Sequence, residues 1–147
     1  MSDPTSEPIR PVTDDEIDAF ARDGVVHLPA ILPNEWVELL VEPVEATIAD
    51  PVITTDMTAL RAAVTDTPPH STGPGRFLSG VDHWLHDPAF AAFATASPLP
   101  AIAAALMDAE RIHLYEDSVL VKEPGTAETT ALHQDLGYFH LDGDRIC

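Results

Sequence analysis

Apolar residues recur at helical spacing through roughly the first hundred residues of the chain. Thr13-Asp14-Asp15-Glu16 has the pattern of a capping box. In this motif the Thr hydroxyl accepts a hydrogen bond from the Glu backbone amide, and the Glu carboxylate accepts one from the Thr backbone amide. Ile17, Phe20 and Ala21 then share one helix face, and Gly24 is a stop signal. The same reasoning predicts four more helices, which begin at Pro33, cover 56–63, and follow Asp87-Pro88 and Ser97-Pro98. The helix from Pro33 would carry Trp36, Leu39 and Leu40 on one face and bend or break at Pro43.

Beyond residue 108 the pattern becomes strand-like. Short apolar or alternating runs predict strands at Val25–Leu28, Ile112–Tyr115, Ser118–Val121 and Ala131–Asp135, and the Pro- and Gly-rich stretch 65–80 is predicted to be a loop. The expected fold class is therefore α+β. A flexible tail over 1–12 precedes a single domain over 13–147, with helices over 13–107 and the first strands of a sheet over 109–147.

Charge and cysteine content exclude several classes of protein. The chain has 7 Lys and Arg against 25 Asp and Glu, and a formal net charge of −18 repels nucleic-acid phosphates and anionic lipid surfaces. Its one cysteine, Cys147, excludes an internal disulfide framework. No apolar run is expected to reach the roughly 20 residues of a membrane helix, and no secretory signal is recognised, so we expect a cytoplasmic protein that binds neither nucleic acid nor membrane.

One triplet, His133-Gln134-Asp135, carries recognisable chemistry. On a strand, residues i and i+2 point to the same face, so the imidazole and the carboxylate converge. They would supply two of the three ligands of a 2-His-1-carboxylate triad, which binds non-haem Fe(II) and leaves positions open for a cosubstrate and O₂. By itself the triplet is more simply explained as a solvated polar pair at the end of a strand.

The surrounding sequence resembles the phytanoyl-CoA dioxygenase family, in which a strand ending in Lys-x-Pro-Gly-Thr precedes His-Gln-Asp-x-x-Tyr-Phe and a nearby Asp-Gly. The matching segments are Leu120–Thr126, Leu132–Phe139 and Leu141–Gly143, with more generic likenesses at Asp23–Val26, Asp87–Phe90 and Ser97–Leu99. The resemblance implies a double-stranded β-helix, a jelly-roll or cupin-like barrel, preceded by helices.

The resemblance also implies cofactors and site residues. Fe(II) would be bound by His133 and Asp135, with 2-oxoglutarate and O₂ as cosubstrates and a small-molecule or acyl substrate. Ser118 and Arg76 match positions that contact 2-oxoglutarate in some members, although a small inward-facing residue and a solvated loop arginine are the alternatives. Tyr138 and Phe139 would form the wall of the substrate pocket, which ordinary core packing would also explain.

The expected barrel is incomplete in this chain. The second iron-binding His and the Arg that pairs with 2-oxoglutarate lie on later strands in the family, and His140 and Arg145 are too close in sequence to Asp135 to replace them. We therefore expect an N-terminal portion of a dioxygenase that is inactive alone and self-associates through exposed strand edges.

Two other functions remain open. The helix face formed by Trp36, Leu39 and Leu40 would suit a non-catalytic protein-interaction module, although core packing explains it more simply. A cupin-type metal-binding barrel would use the same two ligands without 2-oxoglutarate. His83 and His86, three residues apart, have a metal-binding spacing, but burial beside Trp84 is the simpler interpretation.

Overall fold

The fold is a mixture of helices and a small antiparallel sheet. The structure is a computed structural model that describes residues 4–64, 74–126, 128–130, 133, 137, 139–141, 143 and 145–147. The helices are α1 (Asp14–Asp23), α2 (Asn34–Ala49), α3 (Met57–Val64), α4 (Pro88–Ala96) and α5 (Leu99–Leu106), with a 3₁₀ turn over His83–Leu85. The strands are β1 (Thr55–Asp56), β2 (Phe77–Val81) and β3 (Ser118–Lys122). The α+β class is confirmed, whereas a complete jelly roll is not shown.

The predicted helices are confirmed because their signals are local. At α1 the Glu16 amide donates to the Thr13 hydroxyl, and the Thr13 amide donates to the Glu16 carboxylate at 2.9 Å, which completes the capping box. Gly24 adopts φ 71° and ends the helix. α2 continues through Pro43 without a break. The Asp87 carboxylate accepts the Ala89 amide at the start of α4.

The sheet differs from the sequence-based expectation. β2 is its central strand and pairs antiparallel with both β1 and β3. β2 begins within the stretch predicted to be a loop. Gly80 in this strand is explained by close packing and not by a turn, because a Cβ there would lie 2.5 Å from the Ile53 carbonyl oxygen. The prediction of a loop through residue 80 is therefore wrong at its C-terminal end.

Two predicted strands are also wrong. Val25–Leu28 and Ile112–Tyr115 form neither helix nor strand. Both are short apolar runs, and a strand forms only where a neighbouring strand satisfies its backbone hydrogen bonds. Among the described residues no further strand pairs with the outer edge of β3, and self-association through that edge stays a prediction.

The chain divides into two compact units. The first comprises Met1–Leu39, Ala91–Tyr115 and His133–Cys147, and the second comprises Leu40–Phe90 and Glu116–Leu132. In the first, α1 packs against α5, and buried Trp36 contacts Phe93 with ring centroids 6.2 Å apart. In the second, Leu78 and Phe90 are buried, and the Phe90 ring centroid lies 5.2 Å from that of His83.

The N-terminal segment, expected to be a flexible tail, makes specific contacts in the first unit. The Trp36 indole donates to the Thr5 carbonyl oxygen at 2.8 Å, and the Ile9 amide donates to the Ile31 carbonyl oxygen at 2.9 Å. Arg10 forms two hydrogen bonds with the Glu16 carboxylate, of 2.7 and 2.9 Å. These bonds connect the segment to α1 and α2.

One segment changes the expectation about membrane helices. Pro88–Leu106 is long and apolar enough, by length and composition alone, to cross a membrane, contrary to the prediction that no such stretch exists. In the structure this segment is divided between α4 and α5, and Phe90 and Ile102 within it are buried. Core helices of soluble proteins meet the same criterion, so the finding is weak evidence for a membrane span.

Candidate metal centre

Of the two predicted iron ligands, the structure describes His133. Its side chain is exposed, and the residue belongs to no helix or strand. Asp135 and Tyr138 lie outside the described residues, as does most of the strand predicted over 131–135. Within the described ranges no three His, Cys, Asp or Glu side chains are grouped closely enough to hold a metal ion. An exposed imidazole is a suitable donor for Fe(II), and its expected partner is two residues further along the chain.

Ser118, a predicted 2-oxoglutarate contact, is the first residue of β3 and pairs with Val81 of β2. Its side chain is exposed. The preceding residue, Asp117, holds this end of β3: its carboxylate accepts the Trp84 amide at 3.1 Å, and its carbonyl oxygen accepts the Asp82 amide at 3.0 Å. The start of β3 is thus connected to the 3₁₀ turn.

Arg76, the other predicted cosubstrate contact, forms an ion pair with Glu123. Its Nη2 and Nε donate to the two carboxylate oxygens at 2.6 and 3.0 Å, and its backbone amide donates to the same carboxylate at 2.8 Å. The hydrogen bonds from Arg76 lower the pKa of Glu123 to about 2. To contact 2-oxoglutarate, as predicted, Arg76 would exchange this internal carboxylate for that of the cosubstrate.

The turn after β3 encloses Gly75. A Cβ at Gly75 would lie 2.5 Å from the Thr126 amide nitrogen and 2.6 Å from the Pro124 carbonyl oxygen, so only glycine allows this approach. Gly125 within the turn has φ 87°, which also favours glycine. The predicted turn over residues 123–126 is therefore packed directly against the residues that precede β2.

Two side-chain contacts involve residues between this turn and His133. The Glu128 carboxylate accepts a hydrogen bond from Arg61 of α3 at 3.1 Å, and the Lys122 ammonium donates to the Thr130 hydroxyl at 2.7 Å. Neither Arg61 nor Glu128 was predicted from the sequence. They are 67 residues apart and carry no local motif, so no sequence signal connects them.

Of the two aromatic residues predicted to form the pocket wall, the structure describes Phe139. Phe139 is half-buried and makes an edge-to-face contact with Tyr115, with ring centroids 5.0 Å apart, which is compatible with both a pocket wall and ordinary packing. His83 is 1% exposed, in agreement with the burial interpretation, and among the described residues its two ring nitrogens have no hydrogen-bond partner. His86 is exposed.

Comparison with known proteins identifies one family. The family model described as Phytanoyl-CoA dioxygenase (PhyH) matches residues 20–147, which include the helices, the sheet and the His133-Gln134-Asp135 triplet. No curated protein matches the chain. No solved structure matches it either.

Proposed function

Because the chain belongs to the phytanoyl-CoA dioxygenase family, we propose that its site serves the Fe(II)- and 2-oxoglutarate-dependent hydroxylation of a small-molecule or acyl substrate, and that these 147 residues are inactive alone because they supply two of the three iron ligands. The observation that supports this proposal is the family match, which extends from residue 20 to residue 147. Family membership supports an oxygenase of the Fe(II)/2-oxoglutarate superfamily. The metal, the cosubstrate and the substrate class are the proposal.

His133 and Asp135 would bind the metal. A neutral imidazole and an ionised carboxylate are the donors used by non-haem Fe(II) oxygenases, and they leave positions free for further ligands. When bound, the iron together with 2-oxoglutarate and O₂ would supply the oxidation of a C–H bond, with succinate and CO₂ as by-products. The protein would supply orientation of the reactants and exclusion of water.

Other residues would bind the cosubstrate and shape the pocket. Ser118 offers a hydroxyl at the start of β3, and Arg76 offers a guanidinium next to β2 that already binds one carboxylate, that of Glu123. A guanidinium binds carboxylates through paired hydrogen bonds, which suits contact with a carboxylate of 2-oxoglutarate. Phe139 and Tyr138 would line the substrate side. The net charge of −18 favours a substrate with few negative charges.

An anaerobic titration tests the metal site. Fe(II) is added to the 147-residue chain in the presence of 2-oxoglutarate, and the visible charge-transfer band of the chelated complex is followed. A band for the unmodified chain that is absent from His133→Ala and Asp135→Ala would support the two ligands, because each variant removes one donor, and it would contradict the expectation that the chain is inactive alone. His113→Ala, which removes another exposed imidazole with no proposed role, should leave the band unchanged. A band of equal strength in His133→Ala would refute the assignment.

The same titration distinguishes the alternative functions. A cupin-type site would bind Fe(II) through His133 without developing the band when 2-oxoglutarate is added. The interaction-module alternative requires the Trp36 face to be accessible, but Trp36 is 2% exposed and packs against Phe93. Trp36 therefore belongs to the core of the first unit, and we do not propose this face as a binding surface.

A further inference from the structure

The outer edge of β3 carries backbone groups that the sheet does not use, and we propose that this edge binds the same edge of a second copy of the chain. The two β3 strands would run antiparallel about a two-fold axis at Leu120. Every residue that this proposal uses lies in the second unit, so it does not rest on the proposed iron site. It assigns the expected self-association to one edge, one partner and one register.

The hydrogen bonds between β2 and β3 show which groups of β3 face outwards. The Glu123 amide donates to the Arg76 carbonyl oxygen at 2.9 Å, and the Asp82 amide donates to the Asp117 carbonyl oxygen at 3.0 Å. Bonded and non-bonded residue pairs alternate along an antiparallel ladder, so the odd-numbered residues of β3 bond to β2. The residues whose amides and carbonyl oxygens point away from β2 are therefore Ser118, Leu120 and Lys122. Within the described part of the chain, no hydrogen bond uses these outward-facing backbone groups.

The chain that follows β3 leads away from this edge as far as Glu128. After the turn over 123–126, the Glu128 carboxylate accepts a hydrogen bond from Arg61 of α3 at 3.1 Å. The Thr58 hydroxyl of α3 accepts the Phe77 amide, which by the same alternation points towards β1. Glu128 is therefore held by a helix that is attached to the opposite side of β2, and the outer edge of β3 stays accessible to a second strand.

The side chains along this edge fit a second copy in one register. Leu120 is 62% exposed, and on the two-fold axis it would lie opposite its own counterpart, so each leucine would cover the other. Ser118 of one copy would then lie opposite Lys122 of the other. The Lys122 ammonium already donates to the Thr130 hydroxyl at 2.7 Å and has further N–H donors for this contact. The register pairs all the outward-facing groups of both strands, so association closes at the dimer.

The charges on and beside β3 also favour this edge, although the chain as a whole repels its copies. The formal net charge is −18, yet none of the five residues of β3 is acidic. Of the acidic residues that flank the strand, Asp117 accepts a backbone amide and Glu123 is paired with Arg76. Glu116 would lie diagonally across from Lys122 of the second copy, a favourable pair of opposite charges. Two copies can therefore approach here without bringing unpaired carboxylates together.

Sedimentation velocity at increasing chain concentration tests the proposal. The measurement is made in about 0.5 M NaCl, because salt screens the general repulsion between copies. An edge of five residues buries less area than a standard interface, so we expect a weak monomer–dimer equilibrium that appears at high concentration.

Two lysine variants test the position of the axis. Leu120→Lys places two ammonium groups opposite each other and should weaken the dimer by at least about tenfold. Val64→Lys, at a position of α3 that is 69% exposed, makes the same change in net charge and should leave the dimer unchanged. Both variants make the chain less negative, which by itself favours association, so weakening in Leu120→Lys alone points to the edge.

Disulfide cross-linking tests the register. In a Cys147→Ser background, which removes the chain's single cysteine, Leu120→Cys places one thiol on the proposed axis. The Cα atoms of a bonded antiparallel pair lie about 5.5 Å apart, within the range that a disulfide spans. Mild oxidation should give a covalent dimer, whereas Val64→Cys in the same background should cross-link much less.

Several results would overturn the proposal. One is a chain that stays monomeric at every concentration, and another is a dimer that a folded Leu120→Lys variant leaves intact. Cross-linking of Val64→Cys as readily as Leu120→Cys would also overturn it, and this comparison decides the matter if circular dichroism shows that Leu120→Lys is unfolded. Association that continues beyond the dimer would contradict the two-fold pairing. None of these measurements needs Fe(II) or 2-oxoglutarate, so their outcome is separate from that of the proposed function.

Discussion

At the scale of single residues, Gly75 shows how tightly the turn after β3 is packed. A methyl group there would lie within 2.7 Å of three backbone atoms, from Glu123, Pro124 and Thr126. Backbone atoms cannot move aside as the end of a flexible side chain can. We expect Gly75→Ala to lower the free energy of unfolding by about 1–3 kcal/mol, the usual cost of overpacking, as measured by urea denaturation.

Gly137 is the matched control for this prediction. Within the part of the chain that the structure describes, a Cβ at Gly137 has no atom within 4 Å, so Gly137→Ala should change the free energy of unfolding by less than about 0.5 kcal/mol. Equal losses in the two variants would mean that the general effect of replacing glycine, and not the approach of the turn, determines stability at Gly75.

At the scale of elements, the Arg76–Glu123 pair joins the residue before β2 to the residue that follows β3. The pKa of Glu123 is lowered to about 2 from its usual 4.5, first by the side-chain hydrogen bonds from Arg76. A carboxylate whose pKa is lower in the folded state stabilises the fold above its unfolded pKa, and this contribution is lost as the pH falls towards the folded pKa. The relevant window is therefore between pH 4.5 and about 2.

Glu123→Gln tests this dependence on pH. The variant should be less stable than the unmodified chain at about pH 6, and the difference should shrink as the pH falls through the window, because the unmodified chain loses the same charge by protonation. Urea midpoints at about pH 6 and about pH 3 give the comparison. Glu110→Gln removes an exposed carboxylate for which the described part of the chain shows no ion pair, and it should differ little from the unmodified chain. A gap that is independent of pH would contradict the prediction for Glu123.

The elements also show how far sequence reasoning reaches. The helices were predictable because capping boxes, apolar spacing and Pro or Gly signals all lie within a few residues. β2 was missed and Val25–Leu28 was predicted wrongly because strands depend on distant partners: Ser79 pairs with Thr55 and Leu120, far away in sequence.

In the candidate site, too, the features that could be predicted are those whose signal is local in sequence. The His133-Gln134-Asp135 triplet was recognisable because its ligand spacing is local, and the family match includes it. The pairs Arg76–Glu123 and Arg61–Glu128 join residues 47 and 67 positions apart, and tertiary structure alone brings them together. Asp135 lies outside the described residues, so its role stays a prediction.

At the scale of the whole molecule, the net charge of −18 is the dominant electrostatic property. With 25 acidic residues and 7 Lys and Arg, most carboxylates have no cation available to pair with. Their mutual repulsion favours the expanded, unfolded chain. Salt screens that repulsion, because the Debye length falls from about 30 Å at 0.01 M to about 3 Å at 1 M.

We therefore expect the Tm to rise as NaCl is increased from low to near-molar concentration. A gain of about 1 kcal/mol would appear as roughly 2–4 °C in a chain of this size. NaCl is the appropriate salt because sulfate also strengthens apolar burial. Glu42→Lys with Glu45→Lys makes the net charge less negative at two exposed positions of α2, and this variant should gain less from salt. Salt also weakens local ion pairs such as Arg10–Glu16, so a Tm that falls with NaCl would show that these pairs outweigh the overall repulsion.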